Sequence, residues 1–237
     1  MREKMFRTTQ ICSFLGCLVM LMATGSVHAL SIDTFDDPFQ IVTKAAPGPS
    51  VVGTAEAVGG FREMEMLSVA GPLGATLAAD VVDKLSLSND ALTGSVSAVT
   101  WNASGAGLGG VDLTDVGLST FMSMEIISID VGLIDIFMIV IDTGGDVATK
   151  LISGAGVGIF QTLFSDFTNF AATEFDSVDE IRMEFTAGEA SDLVLDFVFS
   201  SGFIPPPPPI PEPSSLILLG MGVLGILGYG WKRRQKA

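Results

Sequence analysis

The C-terminal end of the chain limits which residues can form a globular domain. Residues 205–209 are five consecutive prolines, and the tripeptide Pro211-Glu212-Pro213 follows two residues later. Proline has a fixed φ and no backbone N–H, so such a run neither joins the interior of a sheet nor continues a helix, and it forms a stiff, extended spacer. We therefore expect a spacer over residues 204–213 and a folded domain that ends at residue 203.

An apolar segment and a basic tail follow this spacer. Leu216–Trp231 contains no charged side chain and would be about 24 Å long as a helix. Together with Ser214 and Ser215, this length suits a thin crossing of a hydrocarbon core of about 30 Å. The sequence predicts a transmembrane helix over 214–231 and a cytoplasmic tail over 232–237, where the basic residues act as a membrane stop; these are Lys232, Arg233, Arg234 and Lys236.

This order of Pro-Glu-Pro, short apolar helix and basic tail resembles the PEP-CTERM sorting signal of Gram-negative bacteria. The resemblance implies that an exosortase, a membrane protease-transpeptidase, recognises Pro211, Glu212 and Pro213 and removes the helix during export. The alternative is a permanent membrane anchor with the prolines as a spacer only.

The N-terminus carries a second targeting signal. Three basic residues precede the apolar run 11–22, and Val27 and Ala29 occupy the −3 and −1 positions of a cleavage site. We expect residues 1–29 to be a helical signal peptide read by the general secretion machinery. The two ends together predict a precursor anchored in the inner membrane with its body outside the cytoplasm, and a final position at the cell surface or in the extracellular matrix.

Removal of the signal peptide leaves a body without thiol or imidazole groups. Cys12, Cys17 and His28 are the only cysteines and the only histidine, and all three lie in residues 1–29. The body therefore has no Ser-His-Asp or Cys-His catalytic arrangement, no thiolate or imidazole zinc site and no disulfide framework.

The body is strongly acidic. Residues 30–210 contain 25 of the 27 acidic residues and five of the 12 basic ones, a net charge of −20. Phosphate binding needs the opposite sign, so a nucleic-acid partner is excluded. Divalent cations are natural counterions for such a surface, and the other interpretation is a charge that keeps an extracellular protein soluble.

The pattern along the body is one of short strands separated by glycine-rich turns. About ten-residue spacing without intervening helices predicts an all-β fold, a single antiparallel β-sandwich over 30–203. The segment 133–141 is so apolar that we expect both of its faces to be covered. The predicted strands are 61–66, 81–88, 95–101, 121–129, 133–141, 147–152, 158–164, 180–186 and 192–199.

Two acidic segments carry a second resemblance. Residues 32–37 open the body, and residues 175–185 and 191–197 close it. The arrangement looks like the jelly rolls of galactose-binding-like domains and carbohydrate-binding modules. That resemblance implies a Ca²⁺ ion held by Asp36 or Asp37 together with Asp196. The chain departs from many such modules because Trp101 is the only Trp of the body and the body has no Tyr to stack on sugar rings.

Two further acidic groups have more than one interpretation. Glu63 and Glu65 share one face of a strand and suit a glycosidase pair, a cation-binding pair or a solvated strand face. The segment Asp142–Asp146 suits a cation loop or a plain hairpin turn, and it lacks the terminal acid of a calcium-binding loop.

Three hypotheses for function follow. The first is a non-enzymatic surface or matrix protein associated with exopolysaccharide. The second is a Ca²⁺-dependent carbohydrate-binding module. The third is a glycoside hydrolase or lyase that uses carboxylates. The first hypothesis fits both targeting signals and assigns the chain no catalytic residues.

The sorting tripeptide provides a direct test. We expect Glu212→Ala to leave export intact and to retain the precursor in the inner membrane, because the tripeptide is the specific element ahead of the apolar helix. Cell fractionation measures this, with the equally acidic Glu189→Ala as a control that reaches the surface. Surface delivery of Glu212→Ala at the level of the control would contradict the prediction.

Overall fold

The computed structural model describes residues 30–36, 38–80, 84–130 and 134–201. The signal peptide, the proline spacer, the sorting tripeptide and the predicted transmembrane helix lie outside the described residues. Within those ranges, none of the helical segments is long and apolar enough to cross a membrane.

The described residues form an all-β structure with two short 3₁₀ turns, Val58–Gly60 and Phe164–Asp166. Its 13 strands are β1 Leu30–Asp33, β2 Gln40–Thr43, β3 Ser50–Gly53, β4 Phe61–Ala70, β5 Ala75–Asp80, β6 Lys84–Asn89, β7 Gly94–Trp101, β8 Phe121–Ile129, β9 Ile134–Asp142, β10 Val147–Ile152, β11 Gly158–Leu163, β12 Val178–Ala187 and β13 Asp192–Ser201.

The strands build two antiparallel sheets that pack face to face. The first sheet has the order β11-β8-β13-β6-β5-β2, with β1 also paired to β13, and the second has the order β10-β9-β12-β7-β4-β3. Between β4 and β13 the chain changes sheet at every connection except the hairpins β5–β6 and β9–β10. The predicted two-sheet antiparallel sandwich is therefore confirmed.

The strand predictions are correct for the long alternating segments and incomplete for the short ones. The strands β2 and β3 have four residues each, too few for alternation to be recognised. The strand β5 contains three alanines, which have low strand propensity. All three are absent from the predicted set.

The expectation that both faces of the segment 133–141 are covered is wrong. Along β9 the side chains alternate between buried and half-buried, with Ile136, Met138 and Val140 in the core and Phe137 and Ile139 on the outer face. In the described part of the chain, a second sheet packs against the inner face only. The outer residues are screened by their neighbours in the sheet.

A buried ion pair joins the two sheets inside the apolar core. The side chains of Asp33 on β1 and Arg62 on β4 are both 0% exposed, and Arg62 Nη1 donates to Asp33 Oδ1 at 3.1 Å. Trp101 on β7 donates its Nε1–H to the other carboxylate oxygen at 2.8 Å. The acid of the opening strand is thus held by two residues of the opposite sheet.

The other two nitrogens of the Arg62 guanidinium also have hydrogen-bond acceptors. Nε donates to Gln40 Oε1 at 3.0 Å, and Nη2 donates to the backbone oxygen of Pro38 at 3.0 Å. The ring of Phe35 lies 5.4 Å from the guanidinium carbon. A buried charge is tolerated only when its hydrogen-bonding groups are matched, and this network matches them.

We expect Asp33→Ala to lower the free energy of unfolding by about 3–5 kcal/mol, since it leaves the Arg62 charge buried without its partner. Urea denaturation followed by far-UV circular dichroism measures the change. The control is Asp196→Ala, which removes the partner of Lys84 from a pair whose side chains are 29% and 31% exposed. This control should cost less than about 1 kcal/mol. Equal losses for the two variants would contradict the assignment.

Candidate functional site

One end of the sandwich carries the two longest connections of the described chain. Residues 102–120 join β7 to β8, and residues 164–177 join β11 to β12. The strand register brings them together, because Phe121 pairs with both Leu163 and Ser201, and Ile181 pairs with Trp101. The last described residue, Ser201, therefore leaves the sandwich at the same end. We call the space between these two connections the end cleft.

The 102–120 connection is fastened along the start of β12 by backbone hydrogen bonds. The N–H groups of Leu108, Val111 and Leu113 donate to the carbonyl oxygens of Asp179, Val178 and Phe175, respectively, at 2.7–2.9 Å. Leu113 is fully buried. This long connection is therefore a fixed wall of the cleft.

The carboxylate of Asp112 organises the turn that follows it. Oδ1 accepts hydrogen bonds from the backbone N–H of Thr114 at 2.7 Å and from its hydroxyl at 2.6 Å, and Oδ2 accepts from the N–H of Val116 at 2.8 Å. Asp115 and Val116 have positive φ angles of 47° and 57°. Burial alone would raise the pKa of Asp112, but these hydrogen bonds outweigh it and lower the pKa.

The opposite wall is built around Phe175. Its ring lies 4.7 Å from Phe164, 5.4 Å from Phe167 and 5.8 Å from Phe170, measured between ring centroids. Phe164, Phe167 and Phe175 are buried, whereas Phe170 remains 43% exposed. The cluster fixes the connection from inside and leaves one aromatic ring at the surface.

A second carboxylate anchors this wall to the neighbouring hairpin. Asp142, the last residue of β9, accepts hydrogen bonds from the backbone N–H of Glu174 through Oδ2 and from that of Asp146 through Oδ1, both at 2.9 Å. The N–H of Glu174 is the main reason that the pKa of Asp142 is lowered. The segment Asp142–Asp146 is thus a hairpin turn whose acid holds a loop, as the simpler interpretation of the sequence predicted.

The end cleft has a volume of about 760 Å³ and a mixed lining. Its carboxylates are Asp112, Glu174 and Asp176, and among the described residues no Lys or Arg lines it. Ser119 also lines the cleft, is 2% exposed, and has an Oγ without a hydrogen-bond partner among the described residues. The remaining lining residues are Thr114, Val116, Gly117, Thr120, Leu163, Phe164, Ser165, Phe170, Thr173 and Phe175.

These groups can bind a polar ligand that also has an apolar face. Carboxylates and hydroxyls accept hydrogen bonds from ligand O–H and N–H groups, and the Phe170 ring offers an apolar contact. A general acid would need a carboxyl with a raised pKa, whereas the pKa of Asp112 is lowered. Asp112 is therefore unsuited to the role of a general acid.

The pair Glu63 and Glu65 lies elsewhere, on the outer face of the second sheet. Glu63 has a raised pKa because of partial burial and because Glu65 and Glu180 are close, and Arg182 opposes that shift. Arg182 Nη2 lies 3.3 Å from Glu65 Oε1 and its Nε lies 2.9 Å from Glu184 Oε1. The arrangement is that of a partly solvated, ion-paired strand face.

The residues predicted to hold Ca²⁺ have different surroundings in the structure. Asp36 is exposed after β1, and Asp37 lies outside the described residues. Asp196 on β13 has Oδ2 3.4 Å from Lys84 Nζ, so an ammonium group already neutralises it. In the described ranges, no group of three or more acids, histidines or cysteines could hold a metal ion. The calcium site stays a prediction.

The end cleft and the Asp33–Arg62 network are absent from the sequence predictions. Each has a signal in the sequence. For the cleft it is the long interval between the strand that ends at residue 101 and the strand that begins at residue 121, and for the network it is an arginine on a core-facing strand position. Neither signal identifies the partners, which come from distant parts of the chain.

The lowered pKa of Asp142 predicts that the stability of the fold depends on pH. Since its folded pKa lies below the ordinary value of 3.8, its stabilisation is present above that value and is lost as the pH falls through the folded pKa. We expect Asp142→Asn to be less stable than the wild type at pH 7 and the difference to vanish at the acid end of the scale. Urea denaturation across pH measures this, with the exposed Asp146→Asn as control. A difference that does not depend on pH would contradict the prediction.

Comparison with known proteins identifies the C-terminal region. Residues 209–234 match the PEP-CTERM protein-sorting motif, which confirms the resemblance drawn from the tripeptide and the basic tail. The motif implies processing by an exosortase and indicates an exported, membrane-anchored precursor sorted to the cell envelope. Comparison with curated proteins gives no match.

Solved structures with a similar fold include carbohydrate-binding modules, as the second resemblance predicted. The family 11 module of the cellulosomal cellulase Lic26A-Cel5E of Clostridium thermocellum is 12% identical over 75% of this chain and 96% of that chain, with a TM-score of 0.38. The solution structure of CtCBM11 is 14% identical over 77% of this chain and 99% of that chain, with a TM-score of 0.42. An exo-β-agarase is 10% identical over 76% of this chain and 26% of that chain, with a TM-score of 0.39. Similarity at this level says nothing of the ligand or activity of this chain.

Proposed function

We propose that this chain is an exported, non-enzymatic protein of the cell surface or extracellular matrix, and that its sandwich associates with exopolysaccharide. The observation that carries the proposal is the sorting motif at residues 209–234. In the sequence this motif follows the sandwich, which begins directly after a predicted signal peptide. The two signals support a position outside the cytoplasm, where extracellular polysaccharide is a polymer that the sandwich can contact.

The end cleft supports the binding part of the proposal. It joins carboxylates and hydroxyls to an exposed aromatic ring within about 760 Å³, a size that suits a few sugar residues. The same lining argues against hydrolysis, because Glu174 and Asp176 are exposed and Asp112 has a lowered pKa. The carboxylate with a raised pKa, Glu63, lies on the outer sheet face and does not line the cleft.

We expect the purified full-length protein, kept in detergent, to co-sediment with exopolysaccharide that is isolated from the cells that produce the protein. The reason is that the cleft supplies both polar and apolar contacts to sugar rings. Sedimentation with and without the polymer measures the bound fraction, and Phe170→Ala should reduce it. The matched control is Phe39→Ala, which removes another exposed ring outside the cleft.

Two outcomes would contradict the proposal. The absence of any polysaccharide-dependent sedimentation would remove the association. The appearance of new reducing ends or unsaturated sugars during incubation would point to the hydrolase or lyase hypothesis instead.

A further inference from the structure

The charge of the end cleft restricts the ligands that it can take. Asp112, Glu174 and Asp176 line it, and no basic residue in the described part of the chain does. Three of the basic residues of the body are neutralised elsewhere, with Arg62 on Asp33, Lys84 on Asp196 and Arg182 on Glu65 and Glu184. Like charges facing each other across a binding site cost affinity, so uronate-rich or sulfated glycans are disfavoured.

The two remaining bases do not change this balance. Lys44 donates to the backbone oxygens of Gly71 and Leu73, in the turn between β4 and β5 at the opposite end of the sandwich. Lys150 is not among the residues that line the cleft. The ligand that complements the cleft is therefore neutral or positively charged.

The spacing of the carboxylates argues against a bare metal ion. No three acids of the described chain converge closely enough to hold a cation. A partner that uses these carboxylates must therefore carry its hydrogen-bond donors at several points along its length. A small inorganic cation has no such extent, whereas an oligosaccharide has it.

The other lining groups distinguish a sugar from a simple polyamine. The Oγ of Ser119 is buried and unpaired among the described residues, and buried polar atoms normally have a partner. The exposed ring of Phe170 and the exposed side chain of Leu163 offer apolar contacts beside the carboxylates. An amino sugar supplies all of the complementary features, with hydroxyls, an apolar ring face and an ammonium group on one molecule.

We propose that the end cleft binds glycans that carry free amino groups, such as stretches of glucosamine whose N-acetyl groups have been removed. This proposal rests on the proposed function and names the class of polysaccharide. The ammonium groups pair with Glu174 and Asp176, and the sugar ring packs on Phe170. Asp112 contributes negative charge while it holds its own turn, because the hydrogen bonds of that turn favour its charged form.

The test is isothermal titration calorimetry of the full-length protein in detergent with three tetrasaccharides. These are tetraglucosamine, its fully N-acetylated counterpart and tetragalacturonate. We expect tetraglucosamine to bind at least about tenfold more tightly than the acetylated form, because one charge-assisted hydrogen bond accounts for about that factor. Tetragalacturonate should not bind.

Variants separate the cleft from the general acidity of the protein. Glu174→Gln and Asp176→Asn each remove one charge from an exposed position, so the fold is retained, and each should weaken tetraglucosamine binding about tenfold. Glu189→Gln removes the same charge from the turn between β12 and β13 at the opposite end and should have no effect. Phe170→Ala should weaken both glucosamine forms.

Three results would overturn the inference. Equal binding of the amino and acetylated forms would show that free amino groups are not recognised, while the association with polysaccharide would stand. An equal loss in Glu189→Gln and Glu174→Gln would show attraction by net charge alone. Absence of binding to all three probes would remove the cleft as a glucosamine site, and the sedimentation experiment would then decide the proposed function separately.

Discussion

The buried pair of Asp33 and Arg62 links the two sheets inside the core of the sandwich. The acid comes from the first strand of one sheet, and the base comes from the other sheet. Both would lose hydration on burial, so each is stable in the core only with the other in place. Trp101 and Gln40 complete the hydrogen bonds and tie two more strands to the pair. The network specifies how the opening strand enters the fold.

A similar use of carboxylates shapes the end cleft. Asp112 and Asp142 accept backbone hydrogen bonds and fix the two walls, while Glu174 and Asp176 remain exposed on them. Acidic residues thus have two roles at this end of the sandwich. Some hold loops whose N–H groups lack strand partners, and others give the cleft its charge.

The positions of the basic residues decide where on the body negative charge is locally in excess. A net charge of −20 over residues 30–210 indicates only solubility or attraction to cations when it is considered as a total. The structure pairs three of the five bases with specific acids, and none of the five is among the described residues that line the cleft. The sorting motif indicates that the protein is exported and sorted to the cell envelope.

The sequence alone predicts the export signal, the absence of thiol and imidazole chemistry in the body, and the two-sheet class of fold. These properties are local, because they depend on contiguous motifs, on composition and on the alternation along strands such as β7 and β12. It also pointed to the acids of the opening strand, although it named Asp36 and Asp37 where the structure buries Asp33. The contact of Asp33 with Arg62, 29 residues away, and the position of residues 112–120 opposite residues 163–176 are seen only in the folded structure. Such pairings depend on strand order and register, which the local pattern of a single chain does not specify.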